Sequence, residues 1–119
     1  GLSSTAADYT RFLQMLINNG ELDGVRLLGR KSVELMRTAR IDWDGDEVPD
    51  FGLGFAVVSD IGKSGELSSV GTYAWGGAFN TVFWIDPTEQ LVGVYMSQAR
   101  PTQSDMGDRF RTLVYQALE

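Results

Sequence analysis

Apolar residues recur at Tyr9, Phe12, Leu13, Leu16 and Ile17, the spacing of a helix that buries one face. Ser4 or Thr5 can accept a bond from an orphan amide of the first turn, and Asp8 suits the positive end of the helix dipole. Gly20 is expected to end the helix as a left-handed cap. Leu22-Asp23-Gly24-Val25 reads as a tight turn on an Asp-Gly pair, and residues 30–37 as a short helix with Val33 and Met36 inward. The period then changes to two. Phe51, Leu53, Phe55 and Val57 alternate with Gly52, Gly54, Ala56 and Val58, which predicts a strand with one bulky and one nearly bare face. The bare face would admit a helix or neighbouring segment at least as readily as a ligand. Residues 59–69 read as a Gly/Ser-rich loop. Strands are predicted at 73–75, 81–86 and 91–97, the last two joined by the turn Asp86-Pro87-Thr88-Glu89-Gln90. Ser104 is expected to cap a closing helix with Phe110, Leu113, Val114, Ala117 and Leu118 on one face. The whole predicts an α+β fold, an antiparallel sheet of about three to five strands flanked by N- and C-terminal helices.

Within this pattern the run Trp75-Gly76-Gly77-Ala78 stands apart, because strand interiors disfavour glycine. A glycine pair there marks a bulge or a place where backbone or ligand comes close.

Composition narrows the chemistry. The chain has no His and no Cys, so a Ser-His-Asp triad, a thiolate nucleophile and a Cys- or His-ligated metal cannot be built from it. Catalysis is left to Ser, Thr, Tyr, Lys, carboxylates and backbone amides. Ten Lys and Arg against sixteen acids give a net charge of −6, which argues against nucleic acid and anionic membrane surfaces as partners. No apolar run approaches the roughly 20 residues of a bilayer span. At 119 residues a single domain over 1–119 is expected, burying roughly two-thirds of its unfolded surface. The opening Gly1-Leu2-Ser3-Ser4 lacks an initiator Met, as expected of a piece of a longer protein. In residues 41–50, Asp42, Asp44 and Asp46 have the spacing that opens a calcium loop. Glu47 and Leu53 then stand where that loop needs Gly and Glu, so a solvated acidic loop is expected, and neither metal nor cofactor.

The order of these pieces resembles the C-terminal portion of the serine β-lactamase-like superfamily, which includes class C β-lactamases, family VIII carboxylesterases and D-Ala-D-Ala carboxypeptidases. The resemblance is carried by Leu2-Ser3-Ser4-Thr5-Ala6-Ala7-Asp8, Asn18-Asn19-Gly20, Gly24-Val25-Arg26-Leu27-Leu28, Phe51-Gly52-Leu53-Gly54-Phe55, Trp75-Gly76-Gly77 and Phe83-Trp84-Ile85-Asp86-Pro87. It implies a site made from Ser-x-x-Lys, Tyr-x-Asn and a Lys-Thr-Gly triad. Trp75-Gly76-Gly77 resembles the esterase variant of the third motif, and the first two are absent from this chain. The resemblance further implies that the Ala78 backbone N–H donates to the oxyanion hole. Trp75, Gly76 and Gly77 would line the substrate, with Tyr73 either beside them or in a cross-strand pair with Phe83 or Trp84. Trp75 in place of a cationic Lys favours an ester with an apolar part over a β-lactam. The chain alone is then expected to be inactive and to expose an unpaired sheet edge through which copies associate. The other reading is a non-catalytic module in which Trp75 and Tyr73 bind a sugar or peptide, or a penicillin sensor without chemistry.

Overall fold

A computed structural model describes residues 2–46, 50–100 and 104–119. Gly1 and Glu47, which entered the reading above, lie outside them.

The first helix, α1 (Ala6–Ile17), starts at Thr5, whose hydroxyl accepts from the Asp8 amide at 3.1 Å. Its buried face is Leu13, Met15 and Leu16, with Tyr9 and Ile17 partly covered. Phe12 lies towards solvent, and Met15 takes the inward place. The helix closes in a Schellman arrangement: Asn19, at φ 57°, donates to Leu16 O and Gly20 donates to Met15 O. The left-handed cap is therefore Asn19. Gly20 follows at φ 96°, where a Cβ would collide with the Leu28 carbonyl. A two-residue turn at Asp23 and Gly24, both at positive φ, joins the short strands β1 (Glu21–Leu22) and β2 (Val25–Arg26). Next comes α2 (Arg30–Met36), with Val33 buried and Met36 partly covered, as its pattern predicts.

The alternating segment after it departs from a continuous strand. Phe51 makes isolated bridges to Ile41 and Ala56, the chain reverses at Gly54 with φ 90°, and only β3 (Ala56–Val57) is a strand. Leu53 is consequently exposed, while Phe55 and Val57 are buried. Close approach does occur at Gly52, whose missing Cβ leaves room for the Met36 carbonyl, and Leu53 N donates to that carbonyl at 2.9 Å. The stretch read as a loop holds a short helix, α3 (Ile61–Ser64), started by the Asp60 carboxylate accepting from Lys63 N at 2.8 Å.

Strands β4 (Tyr73–Gly77), β5 (Thr81–Asp86) and β6 (Leu91–Tyr95) complete an antiparallel sheet of order β3-β4-β5-β6. One face of it packs Tyr73, Phe83, Ile85, Val92 and Val94 against Leu13, Leu16 and Val33. Each leucine so buried is worth roughly 1.5–3 kcal/mol. The closing helix, α4 (Met106–Gln116), covers the other face, where Trp84 is wholly buried. Asp105 is its N-cap residue, although the Ser104 hydroxyl accepts from Met106 N at 3.3 Å. The stripe expected to face inward does so only in part: Phe110 meets Trp84 at 5.9 Å and Tyr95 at 6.1 Å and Val114 is half-buried, but Leu113, Ala117 and Leu118 are exposed, and Gly107, Arg111 and Tyr115 turn to the sheet. Polar anchors set that rotation. Arg111 lies over the Trp84 ring at 5.6 Å and pairs with Glu66 at 2.7 Å, and Tyr115 donates to Asp86 at 2.9 Å. The architecture is thus α+β, with the central sheet between helices.

Candidate functional site at the end of the fourth strand

The paired glycines lie inside a regular ladder, Gly76 opposite Val82 and Gly77 opposite Thr81, so they mark no bulge. Their small size is used at Gly77, where a Cβ would collide with the Thr81 hydroxyl. The three residues Ala78-Phe79-Asn80 then close the hairpin. Asn80 sits at φ 57° and donates to Gly77 O at 3.2 Å, the arrangement of a three-residue hairpin loop closed by a left-handed residue. Ser97 fixes this tip from β6's end, its Oγ lying 2.9 Å from Phe79 O and 3.1 Å from Asn80 O. Arg100 stacks on the Phe79 ring at 5.6 Å.

Trp75, Gly76, Gly77 and Ala78 are all exposed. Strand β3 covers β4 only at Tyr73 and Ala74. Beyond that point the β3 side of Trp75–Gly77 carries no strand among the described residues. Val58 N donates to Thr72 O at 2.8 Å across this side, and strand alternation gives Ala74 and Gly76 the same direction. A small-residue strand end with main-chain groups along an open flank is where an extended ligand or carbonyl group can be received.

Tyr73 is not part of that surface. It is 1% exposed, meets Phe55 edge-on at 5.3 Å and is opposite Ile85 rather than Phe83 or Trp84. Burial pushes its phenol up to about 12, against a small opposing effect of Arg37. Tyr73 is a core residue, because its side chain falls on the face that α1 covers.

Two aromatic residues that the sequence reading passed over do reach Trp75. Phe51 meets it edge-on at 5.1 Å, and Trp43 stacks on Phe51 at 5.0 Å and meets Trp75 at 6.1 Å. The available signal was an indole enclosed by acids in Asp42-Trp43-Asp44. The acids are organised by Lys63, whose Nζ lies 3.3 Å from Asp44, 3.0 Å from Asp46 and 3.2 Å from Asp50. Desolvation opposes charge on this lysine, but its bonds to Asp46, Asp50 and Asp44 outweigh that and raise its pKa well above the ordinary lysine range. Carboxylate oxygens of Asp42, Asp44 and Asp46 come within 4.8 Å of one another, so these three could hold a cation. The ammonium of Lys63 already neutralises two of them. A mixed-charge cavity of about 300 Å³ opens behind this cluster, lined by Asp50, Lys63, Glu66, Thr72, Ala74 and Arg111.

A match to the family described as Beta-lactamase covers residues 1–117. Two curated proteins of Mycobacterium tuberculosis are similar to the chain: Protein Rv1367c of strain H37Rv and Uncharacterized protein MT1414 of strain CDC 1551 / Oshkosh. Each is 40% identical over 120 residues, covering 87% of this chain and 29% of the relative. The chain therefore spans under a third of the length of these relatives.

Proposed function

Starting from the chain's membership of the beta-lactamase family, we propose that it is the C-terminal part of a serine hydrolase that cleaves an ester, amide or β-lactam through an acyl-enzyme. Residues 1–119 form one folding unit in this reading. Trp75, Gly76 and Gly77 form the wall along which the substrate lies, and the Ala78 backbone N–H stabilises the oxyanion of the tetrahedral intermediate. The nucleophilic serine and its lysine base come from outside these residues. Serine Oγ gives its proton to the lysine base and bonds to the acyl carbon, the alcohol or amine takes up that proton as its bond breaks and departs, or in a β-lactam stays attached through the opened ring, and water then releases the acid. The observation that carries the reading is the exposed Trp75-Gly76-Gly77 strand end beside an open flank. The absence of a cation at position 75 supports an ester with an apolar part.

Ala78→Pro in the full-length protein tests the oxyanion role, since proline removes the donor and suits the first position of such a turn. The kcat/KM for p-nitrophenyl acetate is expected to fall by about 10²–10³-fold, with circular dichroism and the melting temperature measured alongside to establish that the variant is folded. An unchanged kcat/KM would remove Ala78 from the mechanism. The isolated chain is expected to gain no mass with p-nitrophenyl acetate or a β-lactam, and an acyl adduct on it would overturn the assignment of the nucleophile. The exposed indoles of Trp43 and Trp75 favour a second reading, a sugar- or peptide-binding module. A full-length protein that binds a saccharide and hydrolyses no ester would select it.

A further inference from the structure

We propose that Trp43, Phe51 and Trp75 form a subsite for a neutral, apolar acyl or alcohol group of the substrate, and that Lys63 is the positioning residue that holds Trp43 in it. The inference rests on the hydrolase reading and deepens it. The three rings are mutually in contact, one pair stacked at 25° and the other two nearly perpendicular at 81° and 89°. Such pairs are favourable arrangements of ring quadrupoles, yet Trp43 remains 65% and Trp75 42% exposed. This open aromatic corner adjoins the exposed glycine pair, which adds no side chain of its own.

An indole in so acidic a stretch is held there by polar bonds on both sides. Trp43 N donates to Asp50 Oδ1 at 2.9 Å, while the other oxygen of Asp50 accepts from Lys63 Nζ at 3.2 Å. The next residue, Asp44, is bound by the same ammonium. One cation on α3 therefore ties Asp44, Asp46 and Asp50, which follow Trp43 in the chain, to the body of the fold, and Asp50 in turn holds the Trp43 amide. Without it, Asp44, Asp46 and Asp50 would repel one another. The same carboxylates make the rim unfavourable to a negatively charged substrate, which selects neutral esters over carboxylate-bearing ones.

The test compares kcat/KM for p-nitrophenyl phenylacetate and p-nitrophenyl acetate in the full-length protein. The native protein is expected to prefer the phenylacetyl ester, and Trp43→Ala to reduce that ratio about tenfold, as for a lost apolar contact in a specificity pocket. Lys63→Met should reduce it similarly, and Lys63→Arg should restore it. A second readout needs no turnover: in 5-fluorotryptophan-labelled protein, phenylacetamide should shift the ¹⁹F signals of Trp43 and Trp75, and Lys63→Met should abolish the Trp43 shift. If esters are cleaved but the ratio is the same in Trp43→Ala and Lys63→Met, the subsite is overturned. If no ester is cleaved while phenylacetamide shifts both signals, the hydrolase reading fails and the aromatic subsite stands.

Discussion

Asp86 shows how one side chain can be read as a turn residue and prove to be a buried hub. Its carboxylate is fully buried and accepts from the amides of Ser69, Thr88 and Glu89 at 3.0, 3.0 and 3.2 Å, and from the Tyr115 hydroxyl at 2.9 Å. Burial alone would raise its pKa, but these donors prevail and hold it below the usual aspartate range. The contribution to stability is therefore present above the unfolded value, about 3.9, and is lost as pH falls through the lower folded value. Asp86→Asn is expected to cost about 3 kcal/mol and to flatten the acid limb of a plot of urea midpoint against pH. Tyr115 behaves oppositely. Burial first, then its bond to Asp86, pushes its phenol up to about 12. Its contribution is complete below the unfolded value, about 10, and disappears as pH rises towards 12. Tyr115→Phe should lessen that alkaline loss and leave the part that belongs to Tyr73, whose phenol is also pushed up to about 12, and a midpoint that falls as steeply as in the native protein would remove Tyr115 from the effect.

Among the elements, legibility depended on how much of the environment a pattern contains. Helix α1 was readable because it buries one face against a single layer, and the strands β5 and β6 because their β-branched and aromatic runs are bounded by turn residues. The segment 51–58 was not. Its alternation is genuine, but Gly54 at φ 90° reverses the chain, and Gly52 is consumed by the Met36 carbonyl of a distant helix. Helix α4 was readable as a helix and misread in rotation, since Arg111 and Tyr115 are drawn inward by Glu66, Trp84 and Asp86, none of which is local. A comparable long-range constraint governs β6. A Cβ on Gly93 would enter the ring of Trp84 on the neighbouring strand. Gly93→Ala is expected to destabilise the protein by about 1–3 kcal/mol, measured by urea unfolding, and an unchanged midpoint would mean that Trp84 repacks freely.

For the molecule as a whole, the sheet order leaves β6 at one end, with no strand on its outer edge among the described residues. An edge of unpaired main-chain groups is a template for another strand, and we propose that isolated copies associate there. Light scattering on the isolated chain should show a mass that rises with concentration, whereas a constant monomer mass at high concentration would rule the association out. No helix among the described residues is long and apolar enough to cross a membrane.

The sequence by itself determined the α+β class, the approximate places of the strands β4, β5 and β6 and the absence of histidine and thiol chemistry, because periodicity, turn residues and composition are local properties. Only the tertiary structure decided that Tyr73 is core, that Trp43 and Phe51 reach Trp75, and that one lysine gathers three aspartates. Those outcomes depend on which segments, far apart in the chain, are brought to one side of a sheet, and the energies that decide this belong to contacts between elements.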